Sequence, residues 1–180
     1  MSDIILHHYP ASPFAEKVRV ALGIKGLSWH SVNIPVVMPK PDLMPLTGGY
    51  RKTPVMQIGA DIYCDTQCIL RELEIRFPSP SLIIDTNAGV AWGLSHWTDK
   101  AIFNNVVALI FGAIGDSVPR EFINDRSEMR GAPFDVAKMK AAAPVLLDQM
   151  RSYLDWIETM VAADRPFMMG DSAGLVDLNV

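Results

Sequence analysis

The sequence predicts an α+β protein of two units: a mixed α/β unit over 1–77 and, after a linker at 78–88, an all-helical unit over 89–180. Three observations carry this. Short apolar runs suited to strands occur only ahead of residue 65. The segment Phe77-Pro78-Ser79-Pro80-Ser81 then breaks every local pattern. Beyond it strand alternation is absent, and long helical stretches run over 90–114 and 133–163. A chain of 180 residues is long enough for one large domain or two small ones sharing an interface.

The elements follow in order. Ile4-Ile5-Leu6 is an apolar run of buried-strand type. A helix is predicted over 13–26, with Pro13 in its first turn, Phe14, Val18, Ala21 and Leu22 on one apolar face, and Gly23 and Gly26 at its end. Residues 29–34 alternate as a second strand, and 35–50 read as loop, with Pro35, Pro39, Pro41, Pro45 and Gly48-Gly49. Pro54-Val55-Met56-Gln57-Ile58 is a strand that turns at Gly59-Ala60-Asp61 into Ile62-Tyr63-Cys64. A helix over 66–77 buries Ile69, Leu70, Leu73 and Phe77, which completes β-α-β, a connection, and β-β-α. In the second unit, Val106-Val107-Ala108-Leu109-Ile110-Phe111 is apolar on nearly all sides, the pattern of a helix buried among others.

Composition narrows the function. The chain is 49% hydrophobic and 20% charged, with a formal net charge of -4. Its Lys and Arg are scattered, so no basic face for nucleic acid is expected. Four His and two Cys are too few and too dispersed for the usual metal-ligand spacings, so no metal is expected. Cys64 and Cys68 share one side of a predicted helix start, as small core residues rather than a redox pair. The start lacks a basic, apolar leader, and 101–115 is too short and too polar at Asn104 and Asn105 to span a bilayer. A soluble, cytoplasmic protein without membrane contact is the expectation.

Four motifs in the first 70 residues carry chemistry. Ser12-Pro13-Phe14 follows the first strand, and Ser12 falls at the expected N-cap of the first helix. Lys40-Pro41-Asp42 lies in the proline-rich loop, fourteen residues before Pro54. Thr53-Pro54-Val55 opens a strand, and Asp65-Thr66 begins a helix. In this order they describe a pocket for a small, charged, thiol-bearing peptide. A Ser, Asp or Thr at these places also serves as a plain helix cap, and a Pro at a strand start needs no ligand.

Together these residues resemble the glutathione transferase family along the whole chain, with a thioredoxin-like amino-terminal unit, a linker and a helical unit. Ser12-Pro13-Phe14-Ala15-Glu16-Lys17-Val18-Arg19 looks like the active-site helix of the omega and tau classes, and the placing of Lys40 is omega-like. Phe167-Met168-Met169-Gly170-Asp171 leading to Asp177 looks like the approach to the family's capped core helix.

The resemblance implies the following site. The Ser12 hydroxyl donates to the sulfur of glutathione, the co-substrate, with Phe14 beside it in the glutathione site. A free thiol titrates near 8.5, and lowering that by about two units needs about 2.7 kcal/mol of preferential anion stabilisation. A hydroxyl and a helix amino terminus supply this without a general base. Thr53-Pro54 would be the family's cis-proline pair, turning the Thr53 main chain toward the cysteinyl backbone. Thr66 at a helix start suits the γ-glutamyl carboxylate, and Asp65 the ligand amine. Lys40 would pair with the glycyl carboxylate, with Lys52 as a second candidate. Tyr9, Trp92 and Phe103 are offered for a hydrophobic electrophile, although aromatic residues at such spacing also serve as core. His7 and His8 are expected to face the core and the domain interface, with no metal or base role.

The omega class carries Cys where this chain has Ser12, so tau-like conjugation is implied rather than thiol exchange. The activity implied is glutathione S-transferase chemistry of the detoxification type, in a homodimer. The same fold also serves non-catalytic binding or interaction proteins, and a glutathione-dependent isomerase or reductase would share the pocket. Gly174 stands where the family's core helix has Ser or Thr, and the sequence reaches Val180 one turn into that helix. The helical unit is therefore expected to be incomplete at its carboxyl end and loosely held after about Asp171.

Overall fold

In the computed structural model, residues 3–84, 87–161 and 164–179 are described, the side chain of Asp116 excepted. The two residues ahead of Asp3, the middle of the expected linker at 85–86, the end of the expected 133–163 helix at 162–163, and Val180 lie outside them. The chain divides into two compact units between Leu82 and Ile83.

The first unit is built on four strands: β1 (Ile4–His8), β2 (Trp29–Asn33), β3 (Val55–Ile58) and β4 (Asp61–Cys64), in the order β2-β1-β3-β4. β1 runs parallel to β2 and antiparallel to β3, which is antiparallel to β4. The parallel pair needs a crossover, supplied by helix α1 (Pro13–Ile24). Helix α3 (Thr66–Arg76) follows β4 and packs on α1, β3 and β4. Leu6, Val18, Ala21, Leu22, Val55, Met56, Ile69, Leu70 and Leu73 are wholly enclosed. Each of these side chains larger than alanine contributes about 1.5–3 kcal/mol through removal from water. Ala15 takes the buried place expected of Phe14, which is only half-buried, and Phe77 caps α3 instead of joining its buried face.

Inside the loop expected over 35–50 lies one helical turn, α2 (Met44–Thr47). Pro45 suits its first turn, and Gly48 ends it at φ 61, a left-handed conformation that costs glycine little. Residues 78–82 are tied to this first unit. The Lys25 ammonium donates to the carbonyls of Phe77 at 2.7 Å and Pro80 at 2.9 Å and pairs with Glu74 at 2.5 Å. Glu74 in turn accepts from Ser81 and from the Leu82 amide.

In the second unit α4 (Ala88–Trp97) continues through a π-helical segment, Thr98–Ile102, into α5 (Phe103–Ile114). Helices α6 (Arg120–Arg130) and α7 (Val136–Met160) follow, and α5 packs along α7. A Cβ on Gly112 would lie 2.9 Å from the Lys140 amide nitrogen, so the two backbones approach where no side chain intervenes. Phe111 stacks on Phe122 and meets Phe134 edge-on; Trp97, Tyr153 and Trp156 form a second aromatic group. The expectation that 106–111 is buried on all sides is corrected: Ile110 is 49% exposed, because α5 is covered mainly along its α7 side.

Beyond Asp171 the described chain is packed and bonded. Leu175 and Val176 are each 1% exposed. The Asp177 carboxylate accepts from the amides of Met168 and Gly174, both at 2.9 Å. Half of a capping box thus survives without a hydroxyl at residue 174. Among the described residues, no helix is long and apolar enough to cross a membrane.

Candidate functional site

Strand register determines where the sequence motifs meet. His7 lies opposite Val55, and Val55 lies opposite Cys64. The chain leaves this row at one end of the sheet three times: after β1 toward Ser12, before β3 at Thr53-Pro54, and after β4 at Asp65-Thr66. Antiparallel pairing is what gathers three segments distant in sequence at one edge.

Ser12 is the N-cap of α1, at φ -81 and ψ 114, and is buried at 3% exposure. Its Oγ accepts from the Ala15 amide at 3.2 Å, and no described residue accepts the hydroxyl proton. Its amide donates to the Tyr9 carbonyl at 3.1 Å. The alcohol therefore satisfies the helix end as an acceptor and keeps one donor, next to the positive end of the α1 dipole.

The Thr53–Pro54 bond is cis. The Thr53 amide and carbonyl pair with no described residue. Lys40 supports this turn from below. It is 4% exposed, its ammonium donates to the Arg51 carbonyl at 3.0 Å and Thr53 Oγ1 at 3.2 Å, and it lies 5.9 Å from the Tyr9 ring centre. Tyr9 and Tyr50 pack on the cluster of Ile34, Leu43 and Val55. Lys52 is exposed, and its ammonium pairs with no described residue.

Asp65 caps α3 from a left-handed backbone at φ 72 and ψ 147, a sparsely populated and costly conformation for a residue with a Cβ. Its Oδ1 accepts from the amides of Gln67 at 2.7 Å and Cys68 at 3.1 Å, and its carbonyl accepts from Ile69. The Thr66 amide is the member of this first turn left without a partner among the described residues, and Thr66 is 6% exposed. An unpaired amide with a neighbouring hydroxyl at a helix start is a ready anion site.

Phe14 stands half-buried in the first turn of α1. Trp92 on α4 and Phe103 at the start of α5 are half-buried in the second unit. His7 and His8 are both buried, His7 against Gln57 Oε1 at 3.1 Å and His8 between Ser31 and Arg19. Cys64 and Cys68 are free thiols: Cys64 is half-buried on an edge strand and packs on the Ile34, Leu43 and Val55 cluster, whereas Cys68, expected in the core, is exposed on the first turn of α3. Burial pushes both thiols up; the Cys68 thiol and then Asp65 add to this at Cys64, and Asp65 and Glu72 at Cys68.

Tyr50 was not singled out by any sequence pattern. Burial, then the charges of Asp65 and Cys64, push its hydroxyl up to about 12, so it stays a neutral donor beside the α3 start. The Arg19–His8 contact was missed as well, because two residues eleven apart carry no spacing signal. Among the described residues, no group of three or more His, Cys, Asp or Glu is placed to hold a metal ion.

Residues 6–81 match the family described as glutathione S-transferase, N-terminal domain. A GST-like protein from Pseudomonas syringae is 40% identical over 99% of the chain, with a TM-score of 0.67; the chain spans 56% of that protein's length. A tau class glutathione S-transferase from mango, Mangifera indica, is 17% identical over 98% of the chain and 72% of its own, with a TM-score of 0.73. The structure of glutathione S-transferase-I bound with lactoylglutathione is 16% identical over 99% of the chain and 79% of its own, with a TM-score of 0.70. No curated protein matches the sequence. The fold is that of the glutathione transferases, and residues 6–81 match the amino-terminal domain of that family.

Proposed function

We propose that the protein is a glutathione S-transferase of serine type, omega/tau-like in its first unit, that binds glutathione at the shared sheet end and delivers its thiolate to a hydrophobic electrophile. The single observation that carries this reading is the gathering of Ser12, Thr53-Pro54 and Asp65-Thr66 at one edge through the His7, Val55 and Cys64 row. Their chemistry matches the tripeptide from middle to end. The free Ser12 proton and the α1 dipole meet the sulfur; the unpaired Thr53 main chain meets the cysteinyl backbone as a short added strand. The Thr66 amide and hydroxyl take the γ-glutamyl carboxylate, and Asp65 its amine.

Of the two lysines offered for the glycyl carboxylate, Lys40, which also bonds Arg51 and Thr53 of the turn, stands first and Lys52 second. Phe14 and Tyr9 border the thiol, while Trp92 and Phe103 remain candidates for the electrophile. A structural neighbour bound with lactoylglutathione supports a glutathione derivative as ligand of this fold. A cytoplasmic homodimer belongs to the same reading, checked by sedimentation equilibrium of the purified protein.

Catalysis then comes from thiolate stabilisation and proximity, with the sulfur lone pair attacking an electrophilic carbon. Ser12→Ala tests this. Turnover of an aryl halide is expected to fall about 10²-fold, the usual effect of losing one aimed donor. Glutathione affinity by calorimetry should change less than about threefold, since most contacts stay in place. Unchanged turnover removes Ser12 from the chemistry. Tight glutathione binding without turnover in the unaltered protein leaves a binding protein of the same fold.

A further inference from the structure

The turn that carries Ser12 is held by a guanidinium that the proposed chemistry does not use. Arg19 lies two turns into α1, and its side chain is 19% exposed. Its Nη1 donates to His8 Nδ1 at 2.8 Å, its Nη2 to the Pro10 carbonyl at 2.9 Å, and its Nε to Glu16 Oε2 at 2.7 Å. Because Arg19 has no acceptor, His8 Nδ1 must carry the lone pair, and its Nε2–H then donates to Ser31 Oγ at 2.8 Å. One planar group therefore joins the last residue of β1, the middle of the connecting turn and the first turn of α1.

Among the backbone bonds of the described residues, Ser12 N donates to Tyr9 O at 3.1 Å within the connector from His8 to Ser12, and Glu16 N to Ser12 O at 2.9 Å ties it to α1. Neither fixes the turn relative to the strand. The Arg19 fork does both through hydrogen bonds, to His8 on β1 and Pro10 in the turn, beside the packing of Tyr9 on Ile34, Leu43 and Val55. We infer that Arg19 is a positioning residue for the Ser12 hydroxyl, setting the turn so that the alcohol proton, rather than an exposed main-chain group, meets the bound sulfur. The inference rests on the glutathione reading above and extends it to a residue that touches no ligand atom.

The test reads the sulfur directly. Glutathione thiolate absorbs near-ultraviolet light that the thiol does not, so difference spectra against pH give the ionised fraction of bound glutathione. Arg19→Met is expected to raise the bound thiol's pKa by about one unit, about a tenfold change in its ionisation constant and about a threefold drop in the ionised fraction at about pH 7. Glutathione affinity should change less than about threefold. Arg19→Lys keeps charge and stem but reaches one acceptor instead of three, and should fall between the two. A residue that merely stabilises the unit would lower the melting temperature and leave the bound thiol's titration where it was; that result in either variant overturns the inference. If Arg19→Met does not fold, Arg19→Lys decides alone: a titration identical to the unaltered protein's refutes the positioning role. Absence of a thiolate band with the unaltered protein removes the glutathione reading itself, an outcome distinct from a band that persists in the variants.

Discussion

The starts of α1 and α3 leave the same end of one sheet, yet one is closed by an alcohol and the other by a carboxylate. Ser12 accepts one amide and keeps a proton; Asp65 accepts two amides and brings a full negative charge. The difference decides what each end can hold. The α1 end remains electropositive and offers a donor, which suits an anion such as a thiolate. The α3 end is neutralised by its own cap but keeps the Thr66 amide free, which suits a group bearing both an amine and a carboxylate. One tripeptide carries both needs, the thiol at its middle and the amine with its carboxylate at one end.

Exchanging the caps is the sharpest way to break this comparison. Ser12→Asp keeps a good N-cap and puts a negative charge where the sulfur must ionise. Turnover should fall by at least about 10²-fold and the bound thiol's pKa should rise, with stability to denaturant within about 1 kcal/mol. Retained turnover in stopped assays of this variant would show that the sulfur does not meet Ser12. Asp65→Ser is the reciprocal change. It keeps one capping oxygen and loses the charge facing the amine, so glutathione affinity should weaken about thirtyfold, about 2 kcal/mol for a bond to a charged group. Thr66→Val is smaller still: it removes the hydroxyl but not the amide, and about fivefold in affinity, about 1 kcal/mol, is expected by calorimetry. Equal losses from Asp65→Ser and Thr66→Val would dissolve the division of labour between charge and amide.

Much of this site was legible in the sequence for local reasons. The strands of the first unit show as short apolar runs, and Ser12, Asp65 and Thr66 announce themselves as caps. What could not be read is what long-range contacts decide. Lys40 reads as a carboxylate ligand, and its burial against the turn is hidden, because its partners include a main-chain carbonyl at residue 51 that has no sequence signature. The α2 turn depends on a left-handed Gly48, which a proline-rich loop conceals. Asp177 compensates for Gly174 through amides at Met168 and Gly174, a contact that composition does not reveal. Cys68 reads as core because cysteine is usually buried, whereas its place on a first helical turn leaves it open.

The smallest expected effect concerns the floor beneath the α1 end. His8 is packed by Arg19 and Glu16 of α1 and by Trp29 and Ser31 of β2. Burial first, then the Arg19 charge, pull its imidazole below the usual 6.5, with Glu16 opposing. The unfolded chain therefore binds a proton at His8 at a higher pH than the folded one does. Below about 6.5 the unfolded state holds more protons at this residue, so stability falls as pH falls, and above it the contribution is fully present. Protonation also fills the Nδ1 lone pair that accepts from Arg19, so the contact holding the Pro10 turn is lost in the same range. His8→Gln removes the titration and keeps a side-chain acceptor. The difference in urea midpoint between the two proteins should shrink steadily from pH 7 toward pH 5. A difference constant across that range would mean that His8 takes up no proton on unfolding.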